Sequence, residues 1–240
     1  MKRCSLSTRG FLCVFAMVVL QGCGPVEQSP VSSDSENVIR GKKAAWHFDE
    51  AGGAAIRGWR FTETNSDGTP GRWQVIAQKD ALTAPNVMKL VETKNDDGTF
   101  NLAIAEGTSF GDFDLSVGVW PDQGEEDRGG GPIWRCRDKD NYYICRLNPL
   151  EGNFRVYRVK RGRRRQLKSA SVDLTSQRWY HVRVTMIGQH ITCYLDGKRL
   201  LDTSDKTFMQ PGMVGVWTKS DAVTAFDDLV VTPLKKADTP

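Results

Sequence analysis

The sequence predicts an all-β protein built as a two-sheet antiparallel sandwich, and three observations carry that reading. Apolar and polar residues alternate over short runs, most clearly in His181-Val182-Arg183-Val184-Thr185-Met186, and a period of two is that of a half-buried strand. The runs are punctuated by turn chemistry: Asn65-Ser66-Asp67-Gly68, Asn95-Asp96-Asp97-Gly98 and Asp196-Gly197. No segment of the domain carries a long apolar stripe at helical spacing. The 240 residues, 39% hydrophobic and 26% charged, suffice for one large core under a polar surface.

The elements follow in order. Residues 1–22 read as a lipoprotein signal peptide, with Lys2, Arg3 and Arg9 as the positive region and an apolar stretch over 11–20 too short to span a bilayer. Leu20-Gln21-Gly22-Cys23 is similar to the bacterial lipobox, so Cys23 is expected to become the lipidated N-terminus, anchored to a membrane by several acyl chains. In Gram-negative lipoproteins a residue other than Asp after the cysteine, here Gly24, favours the outer membrane, and the expected location is the cell envelope. Residues 23–43, rich in Ser, Pro and Gly, read as a flexible tether. The domain is expected over 44–234, with a tail at 235–240. Within it, strands are predicted around 73–77, 87–91, 102–105, 113–119, 133–137, 142–147, 154–160, 181–186, 191–195, 214–217 and 223–231. The leader takes three basic residues with it, so the formal net charge of +4 shrinks to near neutrality, which excludes a global pull toward nucleic acid.

Trp179-Tyr180-His181-Val182-Arg183-Val184, Cys193-Tyr194-Leu195-Asp196-Gly197-Lys198, Pro211-Gly212-Met213-Val214-Gly215-Val216-Trp217 and Phe226-Asp227-Asp228-Leu229 together resemble the concanavalin A-like jelly rolls. These include laminin-G-like modules and the bacterial 3-keto-disaccharide hydrolase domain family. Gly131-Pro132-Ile133-Trp134-Arg135 and Asp140-Asn141-Tyr142-Tyr143 resemble the same group's central hairpin. The resemblance spans about 46–233 and implies a jelly roll that handles a sugar on one sheet face or its rim. Phe110-Gly111-Asp112-Phe113-Asp114-Leu115 matches the 3-keto-disaccharide hydrolase pattern. Val117-Gly118-Val119 and Gly129-Gly130-Gly131 depart from its polar positions.

Catalytic strings are sparse. Glu125-Glu126-Asp127 begins the Glu-x-Asp-x-x-Glu motif of family 16 glycoside hydrolases, but Gly130 stands at its last position and the flanking glycines predict a loop. Gly107-Thr108-Ser109-Phe110-Gly111 imitates a nucleophile elbow, yet a strand pattern follows where that motif needs a helix. An acid–base pair, if the domain is a hydrolase, would come from residues such as Asp114, Asp127 or Asp221. No cofactor is expected and no histidine or cysteine spacing suits a metal, although Asp227 and Asp228 would hold Ca²⁺ if a loop carbonyl joined them. Outside the leader and Cys23, the cysteines are Cys136, Cys145 and Cys193. Cys136 and Cys145 lie on two arms of one hairpin, either paired or buried as thiols.

The ligand-binding candidates sit on that hairpin and its neighbour. Trp134, Tyr142, Tyr143 and Trp217 offer flat faces for sugar rings, and Arg135, Arg146, Asn141 and Asn148 offer hydrogen bonds, with Tyr142 and Tyr143 on opposite faces. A basic patch, Lys160, Arg161, Arg163, Arg164 and Arg165, brackets Gly162 at an expected hairpin tip; it reads as a contact for anionic glycan or lipid headgroups, or as solvated edge charge. Two functions emerge: an envelope-anchored carbohydrate-binding or structural module, and a hydrolase of glycosides or 3-keto-disaccharides on the same fold. The expected partners are carbohydrate and, through the anchor, a membrane.

Overall fold

A computed structural model describes residues 39–50, 57–66 and 70–234. The signal peptide, Cys23, most of the tether and the 235–240 tail lie outside the described residues. The chain begins β1 (Ile39–Arg40), β2 (Ala44–Trp46), β3 (Trp59–Thr64), β4 (Arg72–Ala77), β5 (Asn86–Glu92) and β6 (Phe100–Phe110). It continues through β7 (Phe113–Gln123), β8 (Gly131–Asp138), β9 (Asn141–Asn148), β10 (Asn153–Lys160) and β11 (Arg163–Ser171). It ends with β12 (Tyr180–Ile187), β13 (His190–Leu195), β14 (Lys198–Ser204), β15 (Gly212–Lys219) and β16 (Val223–Pro233).

These strands form two sheets. The first has the order β1-β6-β15-β8-β9-β10-β11, with β3 also paired to β6; the second has the order β14-β13-β12-β7-β16-β5-β4, with β2 also paired to β16. All pairings are antiparallel except the short parallel contact of Ile39 and Arg40, assigned by sequence to the tether, with Thr108 and Ser109. The predicted all-β jelly-roll sandwich is therefore the fold.

Alternation decides what each sheet buries. On β7, Phe113, Leu115, Val117 and Val119 point inward while Asp114, Ser116 and Trp120 point out, and on β12 Tyr180, Val182, Val184 and Met186 meet them on the same interior face. The first sheet answers with Ala103, Ala105, Trp134, Tyr143, Cys145, Leu147, Phe154, Val156, Val214 and Val216. Each large side chain removed from water here contributes about 1.5–3 kcal/mol before chain entropy is charged against it. The strands of the first sheet are apolar on both faces. Leu102 and Ile104, alternating with Ala103 and Ala105, join Phe100, Ile133, Tyr142, Ile144, Tyr157, Val159 and Trp217 in a second cluster on the face turned away from the other sheet.

Turn residues close the hairpins as their chemistry requires. Asp196 and Gly197 both take positive φ, 48° and 79°, the geometry of a two-residue I′ turn that matches strand twist. Gly215 fills a different need: a Cβ there would run into the Ala103 carbonyl oxygen on the neighbouring strand. The 107–111 string lies on the end of β6 with β7 directly after it, so it makes no nucleophile elbow.

Candidate functional site

The site grows from one loop, Gly124–Gly130, between β7 and β8. Asp221, in the β15–β16 turn, accepts hydrogen bonds from the backbone N–H groups of Glu125 (2.6 Å), Glu126 (3.2 Å) and Asp127 (3.0 Å). Arg128 closes the loop from the other side, its Nε and Nη2 donating to the Gly124 carbonyl at 3.0 and 2.8 Å. Gly129, at φ 154°, brings the chain so close to Leu147 that a Cβ would strike its carbonyl oxygen. The loop expected from sequence is present, but it delivers Asp127 inward: the side chain is fully buried.

There Asp127 faces Arg146 of β9, Nη1 to Oδ2 at 3.5 Å, with the Lys219 ammonium at 3.9 Å. Arg146 is 1% exposed and donates through Nη2 to Glu151 at 3.0 Å. Glu151, in the β9–β10 turn, also accepts from Asn148 (3.2 Å), Asn153 (2.8 Å) and Arg155 (2.6 Å). Tyr157 and Trp217 wall the cluster, and Arg164 of β11 reaches over them, its guanidinium carbon 4.7 Å from the Tyr157 ring centroid, 5.1 Å from Phe100 and 5.8 Å from Trp217. Lys219 is tied on its outer side to Asp97.

Polar satisfaction marks this place. Both carboxylate oxygens of Asp127, Nε and Nη1 of Arg146, Oδ1 of Asn153 and Nη1 of Arg164 are buried without a hydrogen-bond partner; among the described residues only Gln78 Nε2 joins them. Buried polar atoms in native proteins are normally paired, and concentrated exceptions are where water or a ligand completes the set. Burial, opposed by Arg146 and reinforced by Glu151, pushes the Asp127 carboxyl up to about 6. Glu151 behaves oppositely. Its hydrogen bonds from Asn153 and Arg146 outweigh burial and hold it below the usual carboxylate range.

The structure sorts the sequence-derived candidates. Arg146 and Asn148 belong to the cluster, and Trp217 forms its wall, with Nε1 donating to Tyr142 Oη at 3.2 Å. Trp134, Arg135 and Tyr143 are elsewhere. Trp134 stacks on Tyr143 in the inter-sheet core, their centroids 5.8 Å apart, and both are fully buried, so neither ring presents a face to a sugar. Arg135 is 2% exposed and donates to the carbonyls of Gly111 and Phe208 and to Asp112, a clamp between strand ends. Asn141 binds Asp138 and the Arg161 N–H, as a turn residue does. Of the basic patch, Lys160, Arg161, Arg163 and Arg165 are exposed, whereas Arg164 is turned into the cluster.

Among the acid–base candidates, Asp114 is engaged by Arg183 on the outer face of the second sheet, and Asp221 is occupied by the loop amides. Asp227 accepts from the Thr83 N–H and hydroxyl, while Asp228 accepts from Thr83 and contacts His47 at 2.6 Å. Among the described residues no group of three or more His, Cys, Asp or Glu side chains converges to hold a metal. Cys136 and Cys145 lie on opposite faces of the first sheet, so they do not pair; all three domain cysteines are buried thiols, and burial pushes Cys136 up to about 12. Sequence reasoning missed Glu151, Asn153 and Tyr157, whose only signal was their place on the β9–β10 hairpin beside Arg146.

The two sheets form a concanavalin A-like jelly roll with a buried polar cluster on the outer face of the first. The chain belongs to the family of 3-keto-alpha-glucoside-1,2-lyase-like domains, whose profile matches residues 47–232. Its fold is similar to that of carbohydrate binding module CBM66 from Bacillus subtilis, at 17% identity and TM-score 0.59 over 73% of this chain and 95% of that one. The cellulose induced protein Cip1 is similar at 14% identity and TM-score 0.58 over 82% of this chain and 100% of that one. A β-glucanase from Bacillus licheniformis is similar at 12% identity and TM-score 0.55 over 81% and 99%. No curated protein matches.

Proposed function

We propose that this protein is a lipoprotein of the cell envelope whose jelly roll binds a saccharide at the Asp127–Arg146 cluster. The carrying observation is a set of five side-chain atoms without hydrogen bonds in one place, three acceptors on Asp127 and Asn153 and two donors on Arg146; of these, Asp127 Oδ2 and Arg146 Nη1 meet only as an ion pair at 3.5 Å. A sugar hydroxyl donates and accepts at once, so a ring with neighbouring hydroxyls satisfies both halves of such a set. The rings of Tyr157 and Trp217 beside it, buried beneath Arg164, suit the apolar face of a pyranose once uncovered. The names of the carbohydrate binding module and of the family agree with that chemistry. A glycan-array screen of the purified protein, with thermal shift on each hit, tests it. Saturable binding lost in Arg146→Ala is the expected result; a folded protein that binds no glycan refutes it.

One observation favours a second reading, cleavage of a 3-keto-glucoside. A carboxylate with its pKa near 6 is a serviceable base at neutral pH. In that reaction Asp127 takes the C2 proton, made acidic by the C3 carbonyl, and the C1–O bond breaks as a C1–C2 double bond forms. The guanidinium group of Arg146 stabilises the enolate oxygen, and the proton on Asp127 passes to the departing oxygen. Incubation with a 3-keto-α-glucoside checks it: release of the aglycone, abolished in Asp127→Asn, is expected, and turnover by that variant rejects Asp127 as the base.

A further inference from the structure

Resting on the saccharide reading above, we propose that Arg164 is a built-in occupant of the sugar subsite, a guanidinium plug that a pyranose ring must displace. The rings of Phe100, Tyr157 and Trp217 are the aromatic faces of this cluster, and Arg164 covers all three, within 5.8 Å of each centroid. A planar cation and the C–H face of a sugar compete for the same π surface. Stacking and the charges of Asp127 and Glu151 hold the plug: among the described residues no hydrogen bond or close ion pair fixes its guanidinium, and its Nη1 is buried without an acceptor. Burial lowers the pKa of Arg164, and the neighbouring Arg146 charge adds to that.

The backbone that carries Arg164 lies at the edge of the sheet. Strand β11 is the edge of the first sheet, paired only with β10, and its ladder already slips by one residue between Val156 and Tyr157. Arg164 stands two residues beyond the hairpin tip, where Arg161 and Gly162 both take positive φ. Arg164 itself is part-exposed, so its long side chain has solvent within reach when it swings out. Swinging out uncovers the three rings together with Arg146 and Asp127 beneath. The observed affinity is then lowered by the fraction of molecules whose plug is seated, and removing the plug removes that factor.

The test uses arginine-directed labelling of the intact protein. Phenylglyoxal reacts with free guanidinium groups, and peptide mass spectrometry reports Arg164 by itself. With saturating methyl α-glucoside or its 3-keto form, labelling of Arg164 is expected to rise severalfold while that of the buried Arg146 stays low. Arg164→Ala is expected to bind the same probe about tenfold tighter or more, and Arg164→Lys, which keeps the charge but not the flat stack, to lie between. If the wild type binds the probe and Arg164 labelling stays level or drops, the plug is overturned and the saccharide site stands. Binding seen only in Arg164→Ala supports the plug. Absence of binding in the wild type and in Arg164→Ala overturns both.

Discussion

Replacing Asp127 with Asn isolates the energetic cost of a carboxylate placed in a dry cluster. Below its ordinary pKa of 3.8 the carboxyl is neutral in the folded and the unfolded chain alike, and its ionisation contributes nothing. As pH rises, the unfolded chain ionises first while the folded one resists until about 6, so stability is lost across that window and stays lost above it. The full loss is about 3 kcal/mol, of which about 2 kcal/mol falls between about pH 4.5 and about pH 8. Arg146, Glu151, Arg164, Asp221 and Lys219 all face the group, and each also acts on the Asn variant. The intrinsic cost of the amide for carboxyl swap is the same at every pH, so it cancels in the difference between the two curves. Urea unfolding of both proteins across that range is the assay. The variant is expected to gain on the wild type by about 2 kcal/mol toward the alkaline end. Parallel curves would mean that Asp127 ionises freely, and would refute both its desolvation and its use as a base near neutral pH.

Three further outcomes follow from the packing and the sequence. Trp134→Ala empties the centre of the inter-sheet core and is expected to cost about 3–5 kcal/mol in urea unfolding; loss of glycan binding at unchanged stability would contradict its core role. Gly215→Ala drives a methyl into the Ala103 carbonyl and is expected to cost about 1–3 kcal/mol or more, seen as a lowered Tm or as insoluble protein. Cys23→Ser is expected to move the protein from the detergent phase to the aqueous phase in a cloud-point partition, since Cys23 is the proposed acyl acceptor; an unchanged partition would rule the anchor out.

Alternation made β7, β12 and β13 legible, because each presents a regular apolar face. Strand β3 was hidden by Glu63, which points inward and accepts from the Gly71 N–H and from Asn95, breaking the apolar period with a satisfied buried carboxylate. The faces of the central hairpin were half legible. Alternation separates Tyr142 from Tyr143 and Arg146 from Cys145, but it does not say which set meets the second sheet when both sets are buried. Hence Trp134 and Tyr143 were expected beside a ligand and lie in the inter-sheet core, whereas Arg146 and Trp217 lie at the polar cluster. Asp127 was legible as a carboxylate and not as a buried one. A glycine-rich acidic loop reads as solvated, and it is folded inward by Asp221, 94 residues further along the chain.

The strand order also sets the time at which this domain can fold. Strand β15 is inserted between β6 and β8, and β16 between β7 and β5, so the last two strands of the chain occupy the middle of the two sheets. Until they emerge, the first sheet is split into two unjoined parts and the second lacks the strand that joins β7 to β5 and β2. No portion that lacks β15 and β16 can close the sandwich, and the domain stays open until both have been made. Under the export proposed above, in which the chain is threaded unfolded across a membrane, such lateness is an asset: the topology itself delays compaction until translocation is nearly over.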